Sequence, residues 1–110
     1  MTKILKLVKP VTLIITIDIK TWWDKVNTYS SARVTLNNDW ENTLYYPCSY
    51  NTPDNLASTI KADLVSMLPT KYIPDNRHYQ SDWMSKGVYI VHNIINATHV
   101  ECRRFGLKPE

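Results

Sequence analysis

Glycine is nearly missing from this chain. Two glycines stand among 110 residues, where ordinary usage of ~7% gives about eight. Phosphate-cradling loops of the P-loop or dinucleotide kind need a run of backbone without Cβ atoms, and no such run is present. Turns must come instead from nine asparagines and six prolines, because asparagine tolerates the left-handed conformation better than other non-glycine residues. Long apolar runs are lacking as well. The segment "MTKILKLVKPVTLIITIDIK" is broken by Pro10, alternates with threonine and ends in Asp18 and Lys20. It falls short of the ~20 apolar residues of a membrane span and offers no small-residue cleavage site for a signal peptidase. These features predict an intracellular, cytoplasmic protein with no membrane partner. Its two cysteines, Cys48 and Cys102, are then expected reduced, free and buried, and the Asn96-Ala97-Thr98 glycosylation pattern is a chance match.

A 12.8 kDa chain with 44% hydrophobic and 21% charged residues predicts one domain over residues 1–110, with a single core. From Val11 the odd positions read Val, Leu, Ile, Ile, Ile, Thr, Trp as far as Trp23, and the even ones are largely polar. That period of two is a strand with one buried and one solvated face. On this pattern Trp23 continues the buried stripe, while Trp22 stands on the polar face beside Lys20 and Asp18. The stretch before Pro10 reads as a short strand guarded by Lys3, Lys6 and Lys9.

Residues 32–48 read as a hairpin. Ala32, Val34 and Leu36 share a face, and Trp40, Leu44, Tyr46 and Cys48 form a second even-numbered stripe. For even residues to oppose even residues the loop must be odd, which predicts Asn37–Asp39 or Asn37–Glu41 rather than a two-residue turn. Thr52 as N-cap, Pro53 and Asp54 open a helix over 53–68, with Leu56, Ile60, Leu64, Met67 and Leu68 as its apolar stripe. Residues 69–86 lack a period and read as a loop, with a short helix setting Tyr79 and Trp83 on one side. A second hairpin pairs Val88 and Ile90 with Val100 and Cys102 across a loop near 93–97, with Tyr89, His99, Glu101 and Arg103 on its other face. The expected fold is α+β: an antiparallel sheet of five to six strands with the 53–68 helix on one face.

No complete catalytic constellation is present. Asp18-Ile19-Lys20 has the D-x-K shape of a metal-dependent nuclease strand, which makes a small nuclease the second alternative function, but no acidic residue precedes Asp18, so Asp54 or Asp75 would have to complete the site out of order. His99-x-x-Cys102 is the closest pair for zinc, and on a strand that spacing turns the side chains apart. No cofactor is expected. A net charge of +3 leaves single-stranded nucleic acid as an alternative partner, through a patch of Lys3, Lys6, Lys9, Arg103, Arg104 and Lys108 beside exposed aromatics. The leading expectation is a small non-enzymatic protein that binds and inhibits a host protein, because its Asn-rich, Gly-poor composition is of the phage or viral accessory style. The expected binding residues are Asp18, Lys20, Trp22, Arg77, Tyr79, Trp83 and Arg103, chosen because tryptophan, tyrosine and arginine dominate interface energetics. The oligomeric state, homodimer included, is left open by the sequence.

Overall fold

The computed structural model describes residues 10–37 and 39–109, the side chains of residues 39–41 excepted. In chain order the elements are β1 (Leu13–Trp23), β2 (Thr28–Leu36), β3 (Asp39–Tyr50), α1 (Pro53–Met67), a 3-10 turn (Thr70–Tyr72), α2 (Gln80–Met84), β4 (Val88–Asn96) and α3 (His99–Phe105). The strands form one sheet in the order β3-β2-β1-β4. β1 pairs antiparallel with β2, and β2 with β3, but β4 lies parallel to β1. The fold is α+β with a mixed four-stranded sheet, not the five to six antiparallel strands expected. The predicted strand before Pro10 lies outside the described residues, as does the side chain of Trp40.

The core forms where the odd stripe of β1 meets α1. Ile15, Ile17 and Ile19 are fully buried with Ala32 and Val34 of β2, Val88 and Ile90 of β4, and Leu56, Ile60 and Leu64 of α1. Burying each valine, leucine or isoleucine of this set contributes roughly 1.5–3 kcal/mol. α1 starts where its cap dictates: the Thr52 side chain accepts from the Asn55 N–H at 3.2 Å. Trp83 of α2 also belongs to this core, 1% exposed, with its indole N–H donating to the Arg77 carbonyl at 3.3 Å.

Three local departures from the expected pattern shape the rest of the molecule. The first is Trp23, which is not core: it is 65% exposed. Its parity is right, but the core ends at Ile19. Beyond it lies a hydroxyl layer in which Thr21 donates to the Tyr29 carbonyl at 3.0 Å and Ser30 to Thr21 at 3.2 Å, so Trp23 passes the last apolar partner.

The second lies in β3. Leu36 opposes Asp39 across a two-residue turn, whereas Thr35 opposes Thr43. Even-to-even pairing therefore holds for Val34 with Leu44, but an irregularity in β3 restores it, not an odd loop. Asn37 takes the left-handed conformation at that turn, φ 52°. A second register shift between Ser30 and Ala32 separates Cys48 from the stripe of Leu44 and Tyr46. That shift sits beside Pro47, which an edge strand tolerates.

The third is the C-terminal segment. There is no second hairpin: residues 99–105 are α3, with Thr98 as N-cap accepting from the Glu101 N–H at 3.2 Å. Cys102 is buried as expected, but by a helix, and Val100 is exposed.

Both glycines are explained by position. Gly87 holds φ 76° where the chain enters β4, and its carbonyl accepts from Thr12 and Leu13. Gly106 ends α3 against β3, where a Cβ would collide with the Tyr46 carbonyl and stand 2.8 Å from the Pro47 Cα.

Candidate functional site

The sheet has two unlike faces, and the seven expected binding residues divide between them. Asp18, Lys20 and Trp22, on the even positions of β1, point away from α1, and α3 lies across this side. Trp22 stacks on His99 of α3 with ring centroids 4.4 Å apart and on Tyr29 of β2 at 5.0 Å. Tyr29 in turn meets Tyr50 edge-on at 5.8 Å. Lys20 sits 3.9 Å from Glu101 and 4.9 Å from the centre of the Phe105 ring. Asp18 accepts from the Asn93 amide at 2.8 Å. Hydrogen bonding to Thr98, helped by the Lys20 ammonium, holds the Glu101 carboxyl below its ordinary range.

Arg33, which the sequence reading passed over, is the main clamp on α3. Its Nε donates to the Phe105 carbonyl at 2.8 Å, and its guanidinium lies 4.4 Å from the Phe105 ring centre. The signal for α3 itself was present in the sequence: Thr98-x-x-Glu101 has the capping-box spacing, and here the Thr98 hydroxyl accepts from the Glu101 N–H at 3.2 Å and donates to the Glu101 carboxylate at 2.9 Å.

Arg103 is exposed on α3 and lines a cleft of about 370 Å³ with Trp22, Tyr29, Cys48 and His99. At the inner end of this cleft the Cys48 and Cys102 sulfurs are 3.2 Å apart, both free thiols. Cys102 is fully buried and also reaches the Lys20 carbonyl at 3.5 Å. Burial and the hydrogen bond to Cys102 push the Cys48 thiol up to about 11, against a smaller opposing pull from Arg103.

The remaining three expected residues lie elsewhere. Arg77 lines a separate hollow of about 320 Å³ with Lys61, Ala62, Val65 and Trp83, and its Nε donates to the Pro74 carbonyl at 3.1 Å. Tyr79 is exposed and precedes α2. Trp83 is core and 1% exposed, so only a sliver of its indole reaches that hollow.

One end of the sheet has a character of its own. β1 and β4 run parallel and finish there, β3 finishes beside them, and α3 begins there. Exposed Trp23, Val26, Tyr50, Ile94, Ile95 and Val100 all belong to it. The β1–β2 turn that carries Val26, 81% exposed, is fixed by Asp24. Its carboxylate accepts from the Val26 and Asn27 N–H groups at 2.9 and 2.6 Å, which lowers its pKa, and Lys25 takes φ 78°. Val26 and Tyr50 also line a hollow of about 360 Å³ shared with Asn27, Asn51 and Asn55.

Among the described residues no three His, Cys, Asp or Glu side chains cluster to hold a metal ion, and no helix is long and apolar enough to cross a membrane. Compared with protein-family models, curated proteins and solved structures, the chain matches none.

Proposed function

We propose that the chain is a non-enzymatic protein-binding module that engages its partner through the end of the sheet bearing Trp23, Val26, Tyr50 and Val100. The observation that carries this is the gathering of six large exposed apolar side chains at one end, one of them, Val26, on a turn held in shape by Asp24. Apolar exposure gathered on one part of a folded chain marks interaction sites, and aromatic anchors held at the ends of paired strands, as Trp23 and Tyr50 are here, are what interface hot spots are made of. The outer edge of β4 beyond Ile90, whose backbone N–H and carbonyl are taken by the Gln80 side chain, supports the same reading, since among the described residues those at 91–96 include no charged side chain or proline to discourage strand addition. The composition adds the narrower form of the proposal, in which the partner is a host protein and binding inhibits it.

The test is affinity capture on the immobilised full chain, from lysate with and without nuclease. The wild type is compared with Trp23→Ser/Val26→Ser and with a control, Met67→Ser, on the exposed side of α1. Protein bands that survive nuclease and are lost with the double variant alone support the proposal. Equal capture by all three forms overturns the location, and loss of every band on nuclease treatment overturns protein binding in favour of nucleic acid.

A further inference from the structure

The two cysteines of the chain are 54 positions apart in sequence, yet they face each other beneath α3 with sulfurs at 3.2 Å. A disulfide requires ~2.05 Å, so closing the bond asks for an approach of roughly 1 Å. One sulfur is on β3 and the other on α3, and Cys102 is fully buried while Cys48 is only half-buried and lines the cleft. A reagent therefore reaches Cys48 first.

We propose that Cys48 and Cys102 are a reactive dithiol which a low-molecular-weight disulfide converts to an intramolecular disulfide, pinning α3 to β3. The Cys48 thiolate attacks one sulfur of the reagent RS–SR, forming a mixed disulfide on Cys48 and expelling RS⁻. Cys102, having lost its proton, attacks the Cys48 sulfur and breaks that mixed disulfide, releasing a second RS⁻. The chain gives up two electrons and two protons, the reagent takes both, and two RSH leave. With only two cysteines in the sequence, no third thiol competes for the mixed disulfide. The raised thiol pKa makes the first attack slow near neutrality and faster with rising pH, and Arg103 beside Cys48 stabilises the thiolate that forms. The product holds α3 on the sheet covalently, and α3 is the element that seats His99 on Trp22 and Phe105 on Arg33 and Lys20.

The experiment incubates the full chain with oxidised glutathione and follows intact mass after acid quench. The wild type should lose the mass of two hydrogens with no lasting adduct, faster at about pH 8.5 than at neutrality. Its unfolding midpoint should rise by on the order of 10 °C, because a long loop is closed in the unfolded state. Cys102→Ser should instead accumulate one glutathione adduct. Should that variant not fold, Cys48→Ser serves, and its buried Cys102 should resist glutathione in the native state. A stable adduct on the wild type, a disulfide-linked dimer, no reaction until the chain is unfolded, or fast labelling of Cys102 in Cys48→Ser would each overturn the proposal.

Discussion

Adjacent tryptophans at the end of β1 give the sharpest test of how this sheet is held. Trp22→Ala removes two ring stacks, one on Tyr29 and one on His99. Each is worth about 0.5–1.5 kcal/mol beyond the area it buries. Adding the packing lost from a partly buried indole, the variant should lose roughly 2–4 kcal/mol. That is a large part of the ~5–15 kcal/mol by which a small domain is stable. Trp23→Ala removes a side chain with 65% of its surface exposed and should stay within about 0.5 kcal/mol. Urea unfolding monitored by far-UV circular dichroism gives both values, and unchanged slopes would license the comparison. A Trp22→Ala/His99→Ala cycle should show coupling of about 1 kcal/mol. Equal losses at the two tryptophans, or a larger one at Trp23, would refute the placement of α3 over Trp22.

Three further outcomes follow from single groups. Ser31 is fully buried with no partner for its hydroxyl among the described residues. Ser31→Ala should therefore be neutral or stabilising by up to about 1 kcal/mol in the same unfolding assay, and a clear loss would reveal a missing partner. Gly106→Ala should cost about 1–3 kcal/mol through the clash with β3, although its φ of −85° suits alanine; a neutral result would mean α3 ends further from Pro47. Burial first and Lys61 second hold the His92 pKa below its ordinary 6.5. The unfolded chain then binds the extra proton, and the contribution to stability present above pH 6.5 is lost as pH falls through the lowered value. Midpoints measured between pH 7 and 5 should fall less steeply for His92→Asn than for wild type.

Regular elements with strong local signals were legible in the sequence: the β1 stripe, and α1 from Thr52 to within a residue of its end. Strand parity puts Cys102 in the core, but no strand is there; the residue is buried because one face of a short helix meets the sheet. The parallel pairing of β4 was hidden for a different reason. Residues 69–87 contain Pro69, Pro74 and few apolar residues, so nothing local shows that they carry the chain back to β1 instead of into another hairpin. Trp22, expected as a free anchor, and Trp23, expected in the core, exchanged surroundings because a long-range element covers one and the core stops short of the other. Alternation assigns a side chain to a face, but only the neighbouring element decides whether that face is wet.

The same reasoning explains why the candidate site sits where the sheet is least regular. The shift in β3 beside Pro47 turns Cys48 towards α3, and Gly106 lets the end of that helix rest against the same stretch of β3. A regular β3 would keep Cys48 in the stripe of Leu44 and Tyr46, facing α1 and far from Cys102. A side chain at position 106 would lift α3 and open the stack of His99 on Trp22. The dithiol, the aromatic cleft and the seating of α3 thus depend on one local irregularity, so removing Ser49, which would set Cys48 opposite Ser30 on the α1 face, should separate the sulfurs and loosen α3 together. In that deletion variant, loss of oxidative closure by glutathione with retention of α3's protection from hydrogen exchange would show that the two are independent and that α3 is held by Arg33 and Trp22 alone.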